Sequence, residues 1–262
     1  MLRFRRIAVT PPTPFDGELG IELRYKVAIR YGIEGDLRFI SHHDTMRLFA
    51  RALTRAGLPV KFSEGFNPRP RLSLPLPRPV GIASQCELLV LELGEPIEPE
   101  TVRARLGAQM PAGVNLLESW RLENGQGPVI SGVEYTLMLP PQEARRAAQA
   151  IARLIAADTW PVDRGSANGG KAKTIDLRAY LIDASVDGHV LRWKVGVTGR
   201  GTARPAELLA ASGLDPQAWH HQVRRTAVCT AARIDGDVER AGSHERIRHA
   251  RDIGTDQPAG PG

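Results

Sequence analysis

Apolar and polar positions alternate over residues 23–31, so that aromatic and aliphatic side chains share one face and basic side chains share the other. This period of two predicts a half-buried strand. A helix is predicted next, because Ser41 is a good N-cap and apolar residues follow it at helical spacing. The helix should end at Gly57, a residue type that readily adopts the left-handed conformation. Its buried face is marked by Met46, Phe49 and Leu53.

The remainder of the first half predicts strands at 60–62, 87–93 and 114–122 and a helix at 99–109. Together with the first strand and helix, the order is strand, helix, strand, strand, helix, strand. This βαββαβ order is the pattern of a ferredoxin-like unit.

The same order recurs after a Gly-rich, polar stretch at 123–132, which we interpret as a domain boundary. A strand, an Ala- and Arg-rich helix and an extended segment are followed by a hairpin that turns at Asp187-Gly188, and then by a helix and a last strand. The predicted bounds are 133–139, 141–157, 160–163, 175–186 with 189–197, 204–212 and 225–234.

The sequence therefore predicts an α+β protein made of two tandem ferredoxin-like (βαββαβ) units with antiparallel sheets. The units span 21–123 and 132–235. A Pro-rich flexible leader is expected at 1–20, and a disordered tail at 236–262, where charged residues dominate and apolar ones are few.

Composition narrows the classes of function. The formal net charge is +6, and 30 of the 35 basic residues are arginine, which reflects either phosphate recognition or a general bias towards arginine. Two distant cysteines exclude a disulfide framework and a zinc or iron–sulfur site, so no metal and no cofactor are expected. No apolar run is long enough to span a membrane and no secretory signal is present, which predicts a cytoplasmic protein without a membrane partner.

The first helix carries a basic face. Arg47, Arg51 and Arg55 recur every four residues and therefore line up, with His43 one turn earlier. Such a face either contacts a phosphate chain or is simply solvated. His42 lies instead on the apolar face, near the positive end of the helix dipole, which favours a neutral imidazole. It is either a structural residue or a catalytic general base.

The loop at 62–71 has a composition that an ordinary connector does not need. Gly65 permits an unusual backbone conformation, and Asn67 before a proline favours a turn. Prolines on either side of Arg69 restrict the backbone that presents this residue and Arg71. Phe66 could stack on a base or fill the core. The predicted RNA- or anion-binding residues of the loop are Ser63, Gly65, Phe66, Asn67, Arg69 and Arg71.

Basic residues of the second half could extend this surface or could be scattered charge. The candidates are Lys173, Arg178 and Arg225.

The stretch Ser41–Ser84 resembles the bacterial radical-SAM-linked domain family of unknown function. The similarity is most specific at Ser41-His42-x-Asp44, at Arg51 and at Ser63-x-Gly65-Phe66-Asn67-Pro68-x-Pro70, and it continues through KTIDLR at 173–178 and Arg225-Thr226. The family often has a histidine where this chain has Arg69, and an apolar residue where it has His43. Members of that family stand beside, or are fused to, B12-binding-type radical SAM proteins. The resemblance implies a radical SAM partner encoded nearby and does not imply a reaction of the chain's own.

Three functions remain open from the sequence. The chain could be an accessory module that binds tRNA or rRNA for modification by a radical SAM partner. It could be a ferredoxin-like endoribonuclease with His42 as general base, an analogy at the level of fold. It could also be a docking domain for the partner that does not bind RNA.

Overall fold

A computed structural model describes residues 25–122, 126–164 and 173–230, all of which lie in one structural unit. The predicted leader at 1–20 and the predicted tail at 236–262 fall outside the described residues. The described chain is a mixed α+β structure with five α-helices and a mostly antiparallel sheet.

The described residues of the first half form two α-helices and four strands, close to the predicted order. Its elements are β1 (Tyr25–Ile33), α1 (His42–Ala56), β2 (Leu72–Ser73), β3 (Ala83–Leu93), α2 (Pro99–Gly107) and β4 (Val114–Leu122). The predicted strand at 60–62 is reduced to isolated bridges, Val60 with Leu93 and Phe62 with Pro70.

The second half contains three α-helices and seven strands in the described residues. They are β5 (Ile130–Met138), α3 (Pro141–Ala156), β6 (Pro161–Arg164), β7 (Lys173–Asp176), β8 (Leu181–Asp187), β9 (Val190–Thr198), β10 (Gly201–Thr202), α4 (Pro205–Ala211), α5 (Pro216–Trp219) and β11 (Arg224–Thr230). The predicted strand at 175–186 is two strands, because a turn interrupts it after Asp176.

Nine strands form one continuous sheet in the order β10-β9-β5-β11-β3-β1-β4, with β2 beside β3 and β8 beside β9. The prediction of two separate antiparallel sheets differs from this arrangement. Arg224 and Arg225 of β11 pair in parallel with Ala83 and Ser84 of β3, and this contact joins the two halves. The joint is possible because the short β2 pairs only with the far end of β3, at Val90 and Leu91.

Helix α1 forms where its local signals place it. The backbone N–H of Asp44 donates to Ser41 Oγ at 3.1 Å, which satisfies one of the open donors of the first turn. Gly57 ends the helix with φ 60°, a left-handed conformation that glycine adopts without strain. Phe49 and Leu53 are buried in an apolar cluster with β1 and β3, whereas a second cluster packs α3 and α4 against the sheet of the second half. The predicted buried face of α1 is therefore confirmed at these two residues.

Candidate nucleic-acid interface

The basic face of α1 lines an open cleft of about 540 Å³, here called the arginine cleft. Arg47, Arg51 and Arg55 form one wall, and residues 108–111, which follow α2, form the facing side. The other lining residues are Leu37, Ile40, Asp44 and Leu48. The structure thus brings together the three arginines that the spacing on α1 predicts.

The charges in the arginine cleft are only partly balanced. Arg47 Nη1 lies 3.0 Å from Asp44 Oδ1, but the two side chains are 70% and 51% exposed, so the pair contributes little stability. Hydrogen bonds from Ser41 and Arg47 hold the pKa of Asp44 below its usual value. Arg55 donates to the carbonyl oxygen of Gln109 at 2.9 Å. Because a carbonyl is neutral, this bond does not compensate the positive charge of Arg55. Arg51 has no ion pair or hydrogen bond with any described side chain.

The predicted loop is a closed hairpin with a projecting tip. The N–H of Ser63 donates to the carbonyl of Arg69 at 2.8 Å, and the N–H of Arg69 donates to Ser63 Oγ at 3.0 Å. Gly65 has φ 116°, a conformation that a side chain would strain. Phe66 is fully exposed at 106%, so the alternative that it fills the core is wrong. Asn67 is also exposed at this tip.

The returning limb of the loop faces α1 across a second cleft of about 350 Å³, here called the loop cleft. Its lining residues are His43, Met46, Arg47, Ala50, Arg69, Pro70 and Leu72. Arg69 is exposed and has no ion pair among the described residues. Arg71 lies outside this lining and is 3.2 Å from Glu92 Oε1, a carboxylate that Lys61 also approaches at 3.9 Å. Arg69 is therefore the more available of the two predicted loop arginines.

His42 is half-buried and lines neither cleft. It borders a cavity of about 10 Å³ together with Tyr31, Arg78 and Glu87, on the side of α1 that faces the sheet. Burial lowers the pKa of His42, the neighbouring charge of His43 lowers it further, and Glu87 opposes both effects. The neutral ring is thus favoured, but the arginines of the arginine cleft are not placed around it.

The basic candidates of the second half line neither cleft. Lys173 is exposed at the start of β7. Arg178 donates from Nε to the carbonyl of Ala157 at 3.1 Å and so holds the end of α3. Arg225 is 2% exposed and is paired with Glu87, so its charge is directed into the core and away from any ligand at the surface.

Two residues that matter to this region, the buried Glu87 and the half-buried Arg78, were not among the predicted ones. Glu87 lies inside an apolar strand, and a buried carboxylate requires a cationic partner. Its position in the sequence was therefore a signal that could have indicated a buried ion pair. Arg78 donates to five backbone carbonyl groups, those of Leu37, Arg38, Ile40, Pro79 and Ile82, at 2.7 to 3.4 Å. It fixes the segment before α1 against the segment before β3, and no local sequence pattern indicated it.

Within the described residues, no group of three or more His, Cys, Asp or Glu side chains is arranged to hold a metal ion. No helix there is both long enough and apolar enough to cross a membrane.

Comparison with protein families assigns the sequence to one family. Residues 26–205 match the family described as "Uncharacterized protein conserved in bacteria (DUF2344)". The chain belongs to this family. The DUF2344 match includes α1, the loop and both clefts, and it ends before β11. The family description names no partner, so the radical SAM connection remains a prediction.

The comparisons with curated proteins and with solved structures do not assign a function to the chain. A search of the curated proteins found no match. Among solved structures, the chain is similar to "Crystal Structure of an Unknown Protein from Galdieria sulphuraria", with 11% identity over 80% of this chain and 99% of that one. The TM-score of 0.22 is too low to support an argument about fold or function.

Proposed function

We propose that this DUF2344 protein is an accessory RNA-binding module that works with a radical SAM partner in the modification of tRNA or rRNA. The observation that carries the proposal is the set of available cations on one surface. Arg51 and Arg69 have no carboxylate partner among the described residues, Arg55 is bonded only to a carbonyl, and the arginine and loop clefts adjoin on α1.

The physical case is electrostatic. Guanidinium groups bind phosphate oxygens with two parallel hydrogen bonds, and neutralising a phosphate chain releases its condensed counterions. Like charges four residues apart on a helix repel each other by a few tenths of a kcal/mol, and an anion bound in the cleft would relieve this repulsion. The exposed ring of Phe66 on the adjacent loop adds a surface on which a base can stack.

The radical SAM part of the proposal rests on the sequence resemblance, which covers α1 and the loop. The proposal extends to the architecture as well: each half is a ferredoxin-like unit. The strand order β4-β1-β3-β2 in the first half and β11-β5-β9-β8 in the second supports this interpretation.

A docking domain is the second candidate, favoured by the exposure of Phe66, because aromatic and arginine side chains are frequent anchors at protein interfaces. The endoribonuclease alternative has less support. Its general base, His42, borders the small cavity beside Glu87 and not the arginine cleft.

The test is binding of purified protein to a pool of small RNAs over a series of salt concentrations, with three proteins compared. The site variant is Arg51→Ala/Arg69→Ala. The matched control, Arg145→Ala/Arg153→Ala, removes the same charge from two exposed positions of α3. If the two site arginines contact phosphates, the slope of log K against log salt should fall by about 1.4, or roughly 0.7 for each lost contact.

Two results would contradict the RNA proposal. One is the absence of salt-dependent binding by the wild type. The other is equal weakening by the site and control variants, which would indicate an effect of net charge alone. If RNA does not bind while the radical SAM protein encoded nearby is captured, and Phe66→Ala abolishes that capture, the docking domain is the correct function.

A further inference from the structure

The two clefts on α1 share a wall. Arg47 lines both of them, with Arg51 and Arg55 continuing along the arginine cleft and Arg69 facing the loop cleft. Residues four apart on a helix are separated by about 6 Å along its axis, so these arginines can contact successive groups of a chain. The arrangement is suited to a ligand that passes over α1 from one cleft to the other.

The clefts are not purely electrostatic. Leu48, Met110 and Pro111 contribute apolar surface to the arginine cleft, and Met46 and Leu72 do so in the loop cleft. Their volumes of about 540 and 350 Å³ fall in the range of roughly 300–1,000 Å³ that is usual for small-molecule sites. A phosphate group does not need apolar contacts, whereas an unstacked nucleobase is stabilised by them.

We propose that the arginine cleft and the loop cleft are adjacent subsites for consecutive nucleotides of a single RNA strand, with Arg47 contacting the phosphate between them. This inference rests on the proposed RNA-binding function. In a duplex the bases are stacked and paired, so they cannot contact the apolar residues that line the two clefts. An unpaired strand can place a base in each cleft and still present its phosphates to the arginines.

Phe66 lies where the proposed RNA strand would continue beyond the loop cleft. It belongs to the closed loop that carries Arg69 into the loop cleft, and its ring is exposed at the tip. A strand leaving the loop cleft along this hairpin can stack a further base on the ring.

Asp44 is an internal competitor for this ligand. Its carboxylate lines the arginine cleft and holds Arg47 at 3.0 Å. Because both side chains are largely exposed, the pair is weak, and a phosphate can take the place of the carboxylate. Loss of the carboxylate charge should therefore strengthen binding of the strand.

The experiment compares a fluorescein-labelled single-stranded hexanucleotide with a duplex of the same length, by anisotropy at fixed salt. The single strand should bind at least about fivefold more tightly, the smallest gain expected from one stacked base. Phe66→Ala should reduce binding of the single strand by a similar factor and leave binding of the duplex unchanged. Circular dichroism confirms that each variant is folded.

A second comparison tests the competition by Asp44. Asp44→Asn should tighten binding of the hexanucleotide several-fold, and this gain should disappear when Arg47→Ala is also present. The matched control is Glu143→Gln, because Glu143 and Arg146 form the same i,i+3 pair on α3, at 3.3 Å. It removes an identical charge far along the chain from the site.

The outcomes separate this inference from the function on which it rests. Equal or tighter binding of the duplex, with Arg51 and Arg69 still required, would overturn the single-strand subsites and leave RNA binding intact. A gain from Asp44→Asn no larger than that from Glu143→Gln would overturn the competition. Absence of binding to any RNA would remove both the inference and the proposed function.

Discussion

The guanidinium of Arg225 lies 3.0 and 3.1 Å from the two carboxylate oxygens of Glu87, and the two side chains are 2% and 3% exposed. Arg225 also donates to the hydroxyl of Tyr135 at 3.1 Å and to the carbonyl of Pro77 at 3.2 Å. Because β11 joins β3 in parallel at this point, the ion pair lies where the two halves of the sheet meet. We therefore expect the pair to couple folding of the second half to folding of the first.

Removal of one partner of this pair should be severely destabilising. Glu87→Gln leaves the Arg225 guanidinium buried without a counter-charge, and such changes typically cost about 3–5 kcal/mol in the free energy of unfolding. Urea denaturation followed by circular dichroism measures the loss.

The control for this prediction is Glu98→Gln, which breaks the exposed Glu98–Arg121 pair at 3.4 Å and should cost less than about 1 kcal/mol. The double substitution Glu87→Leu/Arg225→Met should recover part of the loss, because an apolar pair needs no charge compensation. A cost for Glu87→Gln no greater than that of Glu98→Gln would show that the buried pair does not hold the halves together.

Arg78 should be irreplaceable by lysine. Its planar guanidinium bonds carbonyl groups in the segment before α1 and in the segment before β3 at the same time. A lysine ammonium cannot span both segments. A fully buried carbonyl left without a donor costs roughly 1–3 kcal/mol. The carbonyl groups that Arg78 contacts are partly buried, so the loss of several of these bonds in Arg78→Lys should lower stability by about 2 kcal/mol in total. Amide hydrogen exchange should increase at Gly81, whose N–H donates to the carbonyl of Arg38 at 2.8 Å.

Arg30→Lys is the comparison for Arg78→Lys, because Arg30 pairs with Glu118 at the surface at 3.3 Å. It should cost less than about 1 kcal/mol and leave exchange at Gly81 unchanged. Equal effects of the two substitutions would argue against a special role for Arg78.

Local signals allowed much of this structure to be predicted. Ser41 and Gly57 bound α1 through contacts within a few residues, and the spacing of Arg47, Arg51 and Arg55 required only the helical period. Arg225 shows the limit, because its partner Glu87 lies 138 positions away and no pattern near either residue encodes their pairing. The joining of the two sheets through β11 was missed for the same reason.

Phe66 illustrates a different limit. Its loop sequence fits a tight hairpin whether the ring points into the core or into solvent, and the structure places the ring in solvent. The sequence therefore predicted a tight loop here but did not determine what its tip presents.

The two thiols should react at very different rates in the folded protein. Cys86 is 3% exposed and burial raises its pKa to about 11, whereas Cys229 is only half-buried. Thiolate is the reactive form, so iodoacetamide at pH 8 should label Cys229 first and reach Cys86 only when the protein opens. Mass spectrometry of tryptic peptides measures both rates. In 8 M urea the rates should become similar, and faster labelling of Cys86 than of Cys229 in the folded state would contradict its burial.

Stability should decline at alkaline pH because of Cys86. Its pKa rises from 9.0 in the unfolded chain to about 11 in the fold, mainly through burial and secondarily through the Glu87 charge. Between these values the folded state keeps a proton that the unfolded state has released, so the free energy of unfolding falls as pH rises, by on the order of 2–3 kcal/mol in total. Urea titrations at intervals from pH 8 to 11 follow this loss.

Cys86→Ala isolates the contribution of this thiol. The variant should be less stable than the wild type at pH 8 but should lose less stability between pH 9 and 11, because it has no thiol to ionise. Burial also raises the pKa values of Tyr31 and Tyr135, so a decline that persists in the variant should begin nearer pH 10 and shrink further in Tyr31→Phe. Parallel pH curves for the wild type and Cys86→Ala would show that the thiol is not held protonated by the fold.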